Sequence, residues 1–175
     1  TLYDAIGKGG AELNVFDDSH STLTLRDAVG KTQVVLGNTA SGTPLLALRG
    51  SRGKGCVSLQ VSEDGRPALA LDDPAAKNRI WLGLQPDGSP GLGLNDANGK
   101  QRIVLSFHPD GSPGMGLNDA AGKQGVALGF WPDAGPGLRL NDGAGRQRAS
   151  LGIERDDSPV IWLNDGTGHT LWRAP

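Results

Sequence analysis

Pro90-Gly91-Leu92-Gly93-Leu94-Asn95-Asp96-Ala97-Asn98-Gly99-Lys100-Gln101-Arg102 is the stretch from which the rest of the chain can be read. Nearly every other part of the 175-residue sequence is a copy of it displaced by a multiple of 23. Leu94 recurs as Leu117, Leu140 and Leu163 in one direction and as Leu71, Leu48, Leu25 and Leu2 in the other, with no insertion or deletion. A second column, Leu59, Leu82, Leu105, Leu128 and Leu151, keeps the same step. A fixed period of this length marks an array of one supersecondary unit, about seven and a half copies over residues 1–175. The expectation is therefore a single array, with residues 169–175 as its cap: Trp172 is a bulky end residue and Pro175 lacks an amide donor.

Within each copy the apolar residues fall at every second position, Leu92 and Leu94, then Ile103, Leu105 and Phe107. Nothing recurs at 3.6, so the chain is read as all-β, with two short strands per repeat. Between them, Asp96-Ala97-Asn98-Gly99-Lys100 has the wording of a hairpin closed by a left-handed glycine in a G1 bulge. The turn glycines are Gly30, Gly53, Gly99, Gly122, Gly145 and Gly168; Ala76 departs from the column in a copy where Pro74 is expected to reshape the loop. At the other end of the strands, Pro109-Asp110-Gly111-Ser112-Pro113 reads as a second hairpin. The early copies, such as Phe16-Asp17-Asp18-Ser19 and Thr39-Ala40-Ser41-Gly42, lack the Pro-Asp-Gly wording, so a tight turn is less clearly indicated there.

Two hairpins per repeat predict an antiparallel β-meander with a leucine face and a small-residue face carrying Gly83, Gly93, Gly116, Gly129 and Gly152. Such a sheet needs a cover for its leucines. A closed barrel of so many strands would be too wide to fill, and tight turns at both strand ends argue against a membrane barrel. Other copies of the chain are the remaining cover, and the geometry favours three, as a trimeric triangular β-prism. A rod of about 75 Å follows from two strands per repeat. Acidic turns at one edge (Asp64, Asp87, Asp110, Asp133, Asp156) and basic turns at the other (Lys77, Lys100, Lys123, Arg146) suit a head-to-tail ring. The alternative is a single-chain β-solenoid, in which successive strands run parallel around an interior built from one polypeptide.

The sequence is poor in chemistry. A net charge of −2, from 17 basic and 19 acidic residues, gives no footprint for nucleic acid or an anionic membrane. No apolar run of about 20 residues predicts a membrane span, and no leader is read in these residues. Thr1 enters in mid-repeat, already in register at Leu2, which suggests either a precursor that was cut or a truncated chain. A lone Cys56 excludes an internal disulfide framework and is read as a chance small residue, not a nucleophile. His20, His108 and His169 occupy unrelated phases, and the Asn95-Asp96-x-Asn98 turns are too short for a calcium loop. No paired acids or nucleophile with a base break the symmetry, so no catalytic residue, metal or cofactor is expected and the chain is read as no enzyme. Trp81, Trp131 and Trp162 are the candidate surface contacts, since the columns of Trp81 and Trp162 face away from the leucines.

With its repeat written Asp-x-x-Gly-Lys-x-Arg-x-x-Leu-Gly-x-x-Pro-Asp-Gly-Ser-Pro-x-Leu-x-Leu and its ending Trp172-Arg173-Ala174-Pro175, the chain resembles uncharacterised exported bacterial tandem-repeat proteins over nearly all its length. The architecture is also similar to that of phage tail-fibre β-stalks. The resemblance implies an extracellular or cell-envelope location and no catalytic residues. Two functions are expected from these readings. The first is a non-enzymatic rod or filament subunit whose partner is itself, as a homotrimer or filament, with other envelope or appendage proteins as further partners. The alternative is a module that binds glycans or a surface polymer through exposed tryptophans.

Overall fold

The computed structural model describes residues 1–3, 9–17, 20–51, 54–132 and 134–175. Two compact units follow one another, Thr1–Gly88 and Ser89–Pro175. The first holds β1 (Leu2–Tyr3), β2 (Gly9–Val15), β3 (Ser21–Arg26), β4 (Thr32–Asn38), β5 (Pro44–Arg49), β6 (Cys56–Val61), β7 (Pro67–Asp72) and β8 (Asn78–Leu84). The second holds β9 (Pro90–Asn95), β10 (Gln101–Phe107), β11 (Pro113–Asn118), β12 (Gln124–Trp131), β13 (Gly135–Asn141), β14 (Gln147–Ile153), β15 (Pro159–Asn164) and β16 (Thr170–Ala174). In each unit strand order equals chain order, and each strand runs antiparallel to the next. Antiparallel neighbours exclude the solenoid, whose successive strands would run the same way. The protein is an all-β meander, and among the described residues there is no helix.

Both kinds of turn are built alike. Asp96 N donates to Lys100 O at 2.8 Å and Gly99 N to Asp96 O at 2.9 Å, with Gly99 at φ 80° and a bulge between Gln101 and Ile103. The opposite turn repeats the pattern: His108 N donates to Ser112 O, Gly111 N to His108 O, and Gly111 has φ 82°. Thr39-Ala40-Ser41-Gly42 makes the same reversal without the Pro-Asp-Gly wording, because Gly42 alone supplies the positive φ. The loop at Pro74 is not reshaped: Asp73 and Lys77 bond as their counterparts do, and Ala76 adopts the left-handed conformation at φ 58°. Proline fits the second position of the turn without disturbing it. Gly30, Gly99, Gly122, Gly145 and Gly168 all have positive φ; Gly53, like Asp133, lies outside the described residues. Gly50 stands where the other hairpins carry aspartate, and in that copy Gly55 has φ 72°.

Register places the leucine columns on one face. Leu105 pairs with Leu92 and Met115, Leu128 with Met115 and Leu138, and Leu151 with Leu138 and Ile161. Leaving aside the terminal Leu2, ten of the twelve ladder leucines are 36% to 52% exposed, among them Leu105, Leu128 and Leu151, and only Leu71 and Leu94 are better shielded. Among the described residues no large side chain is fully buried. The buried residues among those described, Thr24, Ala47, Ala127 and Val160 with Gly91, Gly93 and Gly116, sit on the opposite, small-residue face. Long polar side chains lie flat across that face and shield what is beneath; a Cβ on Gly93 would meet Gln101 Nε2 at 2.6 Å.

Candidate functional site

The turns show what the repeated residues do. Asp96 Oδ1 accepts from the amides of Asn98 (2.8 Å) and Lys100 (3.1 Å), while Oδ2 faces Arg102 Nη1 at 3.3 Å. Arg102 Nε donates in turn to Asn118 O in the following hairpin, at 2.9 Å. Arg79 and Arg148 meet Asp73 and Asp142 in the same way, and Gln33 takes the role beside Asp27. Asn118 Nδ2 donates to Gln101 O and Asn141 Nδ2 to Gln124 O, at 3.1 and 3.0 Å. Lys100 and Lys123 reach carbonyls of the turn beyond, Ala120 O and Gly143 O. The repeated charges thus lace each hairpin to the next. The amide of Lys100 holds the Asp96 carboxyl below its ordinary range, and the corresponding amides do the same for Asp27, Asp73, Asp119 and Asp142. Asp165 is lowered to about 2, first by the Thr167 hydroxyl, and Asp64 to about 2, first by Arg66.

A calcium loop is not supported at the Asp96 turn on ligand supply, since its Oδ1 is committed to two amides and its Oδ2 to Arg102. Among the described residues no three His, Cys, Asp or Glu side chains come together to hold a metal ion.

Of the three candidate tryptophans, two share a groove on the small-residue face of the second unit and Trp81 stands in the first. The groove encloses about 700 Å³. Its floor is formed by β13 and β14, where Gly137 faces Gly152 without side chains and Arg139 faces Ser150. Here glycine is required: a Cβ on Gly137 would lie 2.8 Å from Leu151 O and 3.2 Å from the Cα of Gly152. Trp131, the last residue of β12, forms one wall, with the Arg139 guanidinium 3.9 Å from its ring centre. Trp162 and Val160 of β15 form the other, with Arg173 5.2 Å from the Trp162 ring and bonded to Glu154 at 2.7 Å. Arg155, held to the Pro132 carbonyl, closes one end with Glu154 and Asp156.

The tryptophans were expected to be exposed. All three are half-buried, and Arg139 and Arg173 lie over Trp131 and Trp162. Arg139 was legible only as one charged residue among small ones, and the sequence gives no sign that it covers Trp131. A scan of protein-family models finds no match to this chain, and a search of curated proteins finds no significant one. The fold and its sites together define an all-β tandem-repeat protein.

Proposed function

We propose that the chain is a non-enzymatic structural subunit of an exported appendage or cell-envelope assembly, acting by association with copies of itself as a homotrimer. The observation that carries this reading is the leucine face, left about half exposed along both units. An apolar surface repeated along every strand is far larger than a monomer normally shows to water. Strands of six or seven residues span about 22 Å, so three sheets forming a prism would each stand about 6 Å from the axis. That is close to half the usual sheet separation of about 10 Å, a space leucines fill. Four sheets would leave the axis hollow. The Asp-Gly edge is acidic, while the Gly-Lys edge carries Lys77, Lys100, Lys123 and Arg146 beside aspartates bonded within their own turns; this difference favours a head-to-tail ring, in which unlike edges meet at each corner.

Light scattering on the purified chain tests the reading. A mass three times that of the 18.1 kDa chain is expected, and Leu105→Asp should dissociate or unfold it. A monodisperse monomer at every concentration would refute self-association, and a stable dimer would refute the threefold arrangement.

A further inference from the structure

We propose that the groove between Trp131 and Trp162 is a binding site for a neutral glycan, taken as a segment of a few sugar rings. The volume, about 700 Å³, falls within the range of small-ligand sites. Two indoles line it, Trp131 leaning over Gly137 with its Cζ3 3.5 Å from where a Cβ would stand, and the small residues Ser150 and Gly152 between them leave room for a sugar ring with its C–H face towards an aromatic wall.

Charge and topology select the ligand class. The lining carries Arg139 and Arg155 against Glu154 and Asp156, and Arg173 at the Trp162 wall is paired with Glu154, so the groove offers hydrogen-bond donors and acceptors with an excess of a single cation, Arg139, which is stacked on Trp131. An anionic polymer would need a larger excess of cations and a cationic ligand an excess of acids; a neutral polyol needs both kinds of partner and neither excess. An extended peptide is disfavoured, because β13 and β14 are paired on both sides and present no free backbone edge to which a strand could add. The groove opens on the face opposite the leucines, so occupying it does not compete with self-association. The two proposals therefore stand or fall separately.

Titration of the full chain with maltohexaose, cellohexaose and chitohexaose, followed by tryptophan emission in a Trp81→Phe, Trp172→Phe background, tests the proposal. A saturable change with at least one of the three is expected. Trp131→Ala or Trp162→Ala, each made in the native chain and followed by calorimetry, should weaken binding about tenfold or more, while Trp81→Phe leaves it within about twofold. No saturable signal from any of the three up to about 10 mM would overturn the proposal. So would equal weakening by Trp81→Phe, or a response confined to an anionic heparin hexasaccharide. If an alanine variant loses its β-sheet circular dichroism, the titration in the double-phenylalanine background decides alone.

Discussion

Ala76 shows how strongly the repeat imposes itself on single residues. Every other hairpin of its kind that is fully described closes on a glycine with positive φ, and here an alanine is held at φ 58° by the same two backbone hydrogen bonds. A left-handed L-residue costs roughly 1–2 kcal/mol, and the glycine that would relieve it gives back part of that gain through its freer unfolded chain. Ala76→Gly is therefore expected to stabilise the protein by about 1 kcal/mol, read from the shift in urea midpoint at unchanged slope. A variant less stable than the parent would mean that Ala76 contributes a contact in this conformation that outweighs the strain. Asp157, at φ 65° in the opposite kind of turn, occupies the glycine position of that turn at lower cost, since a short polar side chain tolerates the left-handed region.

At the scale of the hairpin, the turn aspartates tie stability to pH. Their carboxyls are held below the ordinary value by amides, hydroxyls and arginines in the folded chain, and return to about 3.9 on unfolding. Between the two values the unfolded chain binds more protons, so stability must fall as pH falls. The contribution is complete above about pH 5 and is lost on acidification from about pH 4 towards 2, where Asp64 and Asp165 titrate. Thermal melts should superimpose between pH 7 and 5 and move to lower temperature by pH 3; an unchanged midpoint at pH 2.5 would contradict the role given to these carboxylates. The hairpins were legible in the sequence because alternation and turn glycines are local signals, and each strand repeats them in phase. Which residue lies over which glycine is not local. Gln101 covers Gly93 and Arg139 reaches Trp131 only once the bulges and register have set adjacent strands beside each other. Trp131 also sits at a phase where other repeats carry Gln85, His108 and Glu154, so the period itself gives no hint that it partners Trp162 in one groove.

For the whole molecule the decisive quantity is the apolar surface that one chain leaves uncovered. Ladder leucines about half exposed each retain on the order of 1 kcal/mol of burial energy, so the ten most exposed together hold about 10 kcal/mol. That is comparable to the entire stability of an ordinary domain and to the cost of bringing chains together, about 4–15 kcal/mol. Burial between copies is thus large enough to decide whether the meander stays folded. Folding linked to association makes the melting temperature depend on protein concentration by mass action. We expect the midpoint to rise steadily over a hundredfold range of chain concentration, and Leu128→Asp, which places a charge in the middle of the leucine face, to lower the midpoint and abolish that dependence. A parent midpoint independent of concentration, measured where light scattering reports a single monomeric species, would mean that each chain is stable with its leucines in water, and the argument from the uncovered face would fail.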